Sequence, residues 1–199
     1  MDRKKEIIDA TLELAAENGL GTVSMQQIAD KVGITKASLY NHYSSREQIV
    51  DAMYEYLREA SKQRAGIGDI DYDELFDGKS LKDILCGSVE NYRRITTEPQ
   101  MFLFYKVIMS ERSINSSAAE IMAKETKTMI NATKTLFYAV QVKGKADFVN
   151  VDSAAVSFAM GIHAILDYEC DIEHAGMKKD GNIMQDFIDE FCRIYEKRN

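Results

Sequence analysis

The residues with the clearest chemical purpose lie between positions 35 and 42: Thr35-Lys36-Ala37-Ser38-Leu39-Tyr40-Asn41-His42. Read as a helix, this segment docks inward through Leu39 and leaves Lys36, Ala37, Ser38, Tyr40, Asn41 and His42 facing out. The outward face is small and polar near its start and aromatic near its end. Such a surface suits base edges first and backbone phosphates after. Lys36 can donate to guanine O6 or N7, and the Ala37 methyl can meet a thymine methyl. A surface helix with no task beyond solubility more often carries Glu–Lys pairs.

The elements that must hold this face are written just before it. Ile7, Ile8, Thr11, Leu12, Leu14 and Ala15 give a first helix its apolar side, and Asn18-Gly19-Leu20-Gly21 stops it. Ser24 precedes Gln27 by three, a capping box, with Val23 and Ile28 placed as a hydrophobic staple. Met25, Ile28, Ala29 and Val32 form the buried stripe of this second helix, and Gly33 ends it. Thr35 caps the third, stapled by Ile34 and Leu39. Ser44 with Glu47 reads as another capping box, opening a longer helix to about Arg64. Three short helices in about forty residues, with a Gly-containing turn between the second and third, are the pattern of a helix-turn-helix. The plainer alternative is a three-helix packing unit that binds nothing.

Beyond this segment the chain reads as helix throughout, with a single proline, Pro99. Residues 66–80 are the most loop-like stretch and the expected connector. Helices are then expected over about 81–96, from Pro99 to about Arg112, over 116–142, and as a pair at 152–171 and 183–197. Hydrophobic residues make up 45% and charged residues 29% of the 199, the balance of a globular chain, and a body of roughly 150 residues can bury about two-thirds of its unfolded surface. No apolar run reaches the ~20 residues of a spanning helix, and the amino terminus lacks a signal peptide's apolar core. Three scattered cysteines, Cys86, Cys170 and Cys192, suit a reducing cytoplasm better than a disulfide framework. A cytoplasmic location without membrane attachment is therefore expected.

The net charge of −7 falls mainly on the body. Residues 1–50 carry six Lys/Arg against seven Asp/Glu, whereas 51–199 carry nineteen against twenty-five. An acidic body repels DNA phosphates and disfavours loose attachment, but leaves room for specific binding by a small, well-aimed surface. Enzyme signatures are missing: there is no Gly-x-Ser-x-Gly, no His-Glu-x-x-His and no Gly-rich phosphate loop, so neither catalysis nor a cofactor is expected. The acidic run Asp69-Ile-Asp71-Tyr-Asp73 lacks the Gly and closing Glu of a calcium loop. His163, Asp167, Cys170, Asp171 and His174 share metal-ligating chemistry along one helical side, but read more simply as a solvated face, and no metal site is assigned.

Residues 6–50 resemble the TetR-type one-component repressors. The resemblance is carried by Ala15-Ala16, Gly19, Thr22, Ile28-Ala29, Gly33-Ile34-Thr35, Leu39-Tyr40, His42-Tyr43 and Ser45-Arg46-Glu47. Departures are Ala37 where Gly is frequent, Tyr43 for Phe and Arg46 for Lys. By position, the resemblance implies base contacts from Lys36, Ala37 and Ser38, with Gln26 at the groove edge. It implies phosphate contacts from Tyr40, His42 and Arg46, helped by the Ser24 hydroxyl and the helix start at Thr35.

The resemblance also implies a body with two tasks. Helices 152–171 and 183–197, with stripes including Ala155, Phe158, Ala159, Ile162, Leu166, Phe187, Phe191 and Ile194, would pair with their copies across a two-fold axis. Independently, one short recognition helix reads too few base pairs to be selective, so a homodimer on a palindromic operator is expected. The middle helices would enclose a small-molecule effector, with Tyr92, Phe102, Tyr105, Met109, Met122, Met129, Phe137 and His163 as candidate lining. Met and aromatic residues suit such sites, although at helical spacing they also serve as ordinary core. The expected fold is thus all-α with about nine helices: a helix-turn-helix domain over 1–48 and an effector-binding and dimerisation domain over 49–199. The expected function is a DNA-binding transcriptional repressor released by an effector, the alternative being a body that binds a protein partner or metal instead.

Overall fold

A computed structural model describes residues 2–64 and 71–197. Among them the chain is all-α, with one isolated antiparallel bridge between Ala146 and Glu196. The helices are α1 (Arg3–Asn18), α2 (Met25–Val32), α3 (Lys36–Tyr40), α4 (Arg46–Arg64), α5 (Tyr72–Phe76), α6 (Leu81–Thr96), α7 (Pro99–Glu111), α8 (Ser116–Val142), α9 (Val151–His174) and α10 (Ile183–Tyr195). Nine of these answer to helices expected from the sequence. The short α5 lies inside the stretch expected to be loop: Phe76 buries its ring in the neighbouring core, and packing overrides a sequence full of Asp. Residues 66–70 of that connector, including the start of the Asp69–Asp73 run, lie outside the described residues. No helix among the described residues is long and apolar enough to cross a membrane.

The chain divides into two units, one holding residues 2–64 and 93–125, the other 71–92 and 126–197. The core of the first unit gathers Ile7, Leu12, Ile28, Leu39, Ile49 and Met53 with Met101, Phe104, Ile108 and Ile121. The three short amino-terminal helices therefore share one core with α4, α7 and the start of α8, which runs on past residue 48.

Local capping explains where these helices begin. Asp2 accepts from the Lys4 N–H at the start of α1. At α2 the Ser24 N–H donates to Gln27 Oε1 (2.9 Å) while the Gln27 N–H donates to Ser24 Oγ (3.3 Å), the expected box. Gly33 ends α2 at φ +74°, a left-handed position that a side chain would strain. One expectation is corrected at α4. Ser45, not Ser44, accepts from the third turn residue, through the Gln48 N–H (3.2 Å), and Gln48 reaches back to the Ser44 N–H (2.7 Å). The same spacing is written twice, as Ser44/Glu47 and Ser45/Gln48, and the chain takes the later register.

The second unit is built on aromatic packing. Phe137, fully buried, stacks on Phe148 (centroids 4.7 Å, planes 3° apart) and meets Phe158 and Phe191 at tilted angles. Asn150 and Asn182 cap α9 and α10. The two helices approach closely at Gly161, where a Cβ atom would lie 2.5 Å from the Phe187 ring. Gly161→Ala should therefore destabilise the protein by about 1–3 kcal/mol, the usual cost of overpacking. Urea denaturation measures it, and Phe187→Leu in the same chain should return most of the loss.

Candidate nucleic-acid interface

The face singled out by sequence survives folding. Leu39 is 0% exposed and anchors α3 in the core, with Thr35 Oγ accepting from the Ser38 N–H (3.1 Å). Gln26, Thr35, Lys36, Ala37, Tyr40 and Asn41 are exposed; Ser38 and His42 are half-buried. Tyr43 is instead part of the core, where burial, and then the charge of Asp2, push its phenol above its ordinary range. Gln26 is tied along α2 by Nε2 donation to Asp30 Oδ1 (2.7 Å).

Electrostatics single out one residue on this face. Arg3 pairs with Glu6, Lys5 with Asp9, Arg46 with Glu47, and Lys31 with Glu13 at 2.9 Å. Hydrogen bonding to Glu13 raises the Lys31 pKa. Among the described residues of the first fifty, Lys4 and Lys36 are the cations with no carboxylate within 4.0 Å. Lys36 thus stands at the start of α3 with its charge uncancelled, suited to an acceptor such as guanine or phosphate.

Behind this face lies an arrangement the sequence reading did not contain. The turn Leu20–Thr22, which leads into α2, is held from two sides. Arg46 Nη1 donates to the carbonyls of Leu20 (3.2 Å), Gly21 (3.1 Å) and Val23 (3.3 Å). The Gly21 N–H donates to Oε1 of the buried Glu111 at the end of α7 (2.9 Å), and Asn115 Nδ2 donates to Oε2 of the same carboxylate (3.2 Å). Arg46, read by resemblance as a phosphate ligand, is here bound through Nη1 to the main-chain carbonyls of that turn. Glu111 is ninety residues from Gly21, and no local pattern marks it.

The candidate effector residues divide evenly between the units. In the first, Phe102 lies under Lys106 Nζ (4.5 Å to the ring centroid), Tyr105 and Met109 pack at the edge of the core, and Met122 is within it. In the second, Tyr92 is half-buried, Met129 and Phe137 are buried, and His163 Nε2 lies 3.8 Å from Asp167 Oδ2. Among the described residues no group of three or more His, Cys, Asp or Glu side chains could hold a metal.

The candidate dimer stripe also separates. Ala155, Phe158, Ala159, Ile162 and Phe191 are buried within the chain, and Ala155, Phe158, Ile162 and Phe191 belong to the second unit's own core. Leu166 and Phe187 pack partly against it, and Ile194 is 58% exposed. The apolar residues left outward on α9 and α10 include Val156, Met160, Tyr168, Ile183 and Ile194. Both helices carry apolar residues on more than one side, so spacing alone does not separate core from outer face.

Residues 7–53 match the family model described as bacterial regulatory proteins, tetR family. The HTH-type transcriptional repressor KstR2 of Rhodococcus jostii (strain RHA1) is 43% identical over 49 residues, 25% of this chain and 24% of that protein. The chain spans about a quarter of the length of the curated relatives it first matches. Solved structures also match over nearly the whole chain, among them the following two. The flavonoid-responsive regulator FrrA superposes with a TM-score of 0.74 at 18% identity, over 99% of this chain and 98% of that one. The SmeT–triclosan complex gives 0.71 at 13% identity, over 99% and 93%. These likenesses concern the fold, an amino-terminal helix-turn-helix followed by a helical body.

Proposed function

Because residues 7–53 match the tetR-family model and a repressor of similar sequence, we propose that the chain is a sequence-specific DNA-binding transcriptional regulator, a repressor released from a palindromic operator by a small molecule. The observation that carries the reading is the exposed face Lys36–Ala37–Tyr40–Asn41 on a helix docked through Leu39 and capped by Thr35. Residues 1–48 supply the DNA-contacting module, and 49–199 the sensing and dimerising body. The similar repressor sequence over the same segment supports the DNA reading. Of the fold relatives, one is named as flavonoid-responsive and one was solved with triclosan, which supports a small-molecule reading of the body.

Two copies place two recognition helices about 34–36 Å apart on one face of the duplex. The outward residues Val156, Met160, Ile183 and Ile194 supply the apolar surface for that pairing.

Lys36→Ala tests the recognition face. It should cost about 1–3 kcal/mol at one base pair and relax preference there, leaving other positions unchanged. Lys4→Ala, lacking a base edge to read, should weaken all sequences alike and lower the salt slope by about one. Fluorescence anisotropy with single-base operator variants separates the two, and a uniform loss in both would remove Lys36 from base reading.

A further inference from the structure

Within the first unit, helices α4, α7 and α8 bring a polar cluster into an otherwise apolar core. Tyr54 Oη donates to Glu125 Oε2 (2.7 Å), and Arg58, one turn along α4, donates through Nη1 to both oxygens of the same carboxylate. Glu125 is 1% exposed and Arg58 9%. The Tyr54 ring lies 6.2 Å from Phe104, which lies 6.3 Å from Tyr105. A buried ion pair is a poor device for stability, since apolar residues of equal volume serve as well or better. One donor in the cluster is left over: Arg58 Nε is buried with no acceptor among the described residues, and such groups call for an explanation.

We propose that Arg58, Glu125 and Tyr54 form the polar anchor of the effector site, and that it takes a neutral aromatic molecule whose carbonyl or ether oxygen accepts from Arg58 Nε. This rests on the reading of the body as a small-molecule sensor. Charge balance requires the ligand to be neutral. The Arg58 guanidinium is already cancelled by the Glu125 carboxylate. A second anion would leave one buried negative charge uncompensated, and a ligand cation would leave one positive charge; both are expensive away from water. A neutral acceptor satisfies the donor and disturbs nothing. The aromatic requirement follows from Tyr54, Phe104 and Tyr105, whose rings supply stacking and edge contacts.

The test uses the full-length protein without DNA, so that its result is independent of operator binding. The arginine Nε–Hε nuclear magnetic resonances of the 15N-labelled protein are recorded, and that of Arg58 is identified by its loss in Arg58→Lys, which keeps the charge. If that variant does not fold, through-bond assignment of the wild type identifies the signal instead. Three probes of similar size are titrated: acetophenone (neutral), benzoate (anionic) and benzylammonium (cationic). Acetophenone should move the Arg58 signal saturably, at about millimolar concentration, with the charged probes binding at least about tenfold more weakly. If benzoate or benzylammonium binds as well as acetophenone, the neutral class is wrong. If no probe moves the Arg58 signal, the donor is met by water and the proposal fails. Backbone amide signals that shift elsewhere in the same spectra would show that the body binds small molecules at a different place, leaving the sensor reading intact.

Discussion

Glu125→Ala should lower the stability of the protein by about 3–5 kcal/mol, the range for breaking a buried ion pair by removing one partner. The size follows from where the charges sit. Glu125 is almost wholly buried and accepts from both Arg58 and Tyr54, so its removal leaves a guanidinium in a core lined by residues such as Met53, Leu57 and Ile121. Desolvation opposes the Arg58 charge, and Glu125 is the largest influence that raises its pKa. The double variant Arg58→Met/Glu125→Leu removes both charges and should recover most of the loss. Equilibrium urea denaturation of the three proteins checks this. A single variant costing under about 1 kcal/mol would mean that the pair is screened like a surface bridge.

The second large effect is expected in function rather than in folding. Glu111→Ala removes the acceptor of the Gly21 N–H, a hydrogen bond to a charged group worth about 1.5–3 kcal/mol. Gly21 lies three residues before the Ser24 cap of α2, so the loss loosens the turn from which α2 and α3 are aimed. Arg46 would still hold the carbonyl side of that turn. Operator affinity should therefore fall by about tenfold or more, although Glu111 is no part of the outward face. Glu111→Gln, which keeps an acceptor oxygen, should retain most of the affinity. Anisotropy titrations beside thermal unfolding distinguish a misaimed head from a misfolded one. Wild-type affinity in Glu111→Ala would show that the contact does not position the turn.

These two predictions rest on what the sequence did not make legible. Signals that act over three or four residues were readable: the Ser24/Gln27 box, the Gly33 stop, the Thr35 cap and the Pro99 start each correspond to a helix end. The all-α fold followed from them. The Ser44/Glu47 reading erred by one residue because two overlapping copies of one pattern compete, and only packing chooses. The Arg58–Glu125 pair and the Glu111–Gly21 bond join residues 67 and 90 positions apart. Each participant looks locally like an ordinary polar residue on a helix. Outward exposure of Lys36 was foreseeable from the position of Leu39. Its lack of a carboxylate partner was not, because ion pairs such as Lys31–Glu13 join different helices and leave no local pattern. On α10, a stripe read at three- and four-residue steps mixed the core residue Phe191 with Ile194, which faces outward.

The central claim is that the α2–α3 unit reads a specific, two-fold symmetric DNA sequence. Selection of duplexes from a random library by the purified protein, at two salt concentrations, tests it most directly. Enrichment of a palindrome with half-sites about one helical turn apart, retained at the higher salt, is the predicted result. Weak, steeply salt-dependent binding with no enriched sequence would contradict it, because phosphate attraction alone behaves in that way.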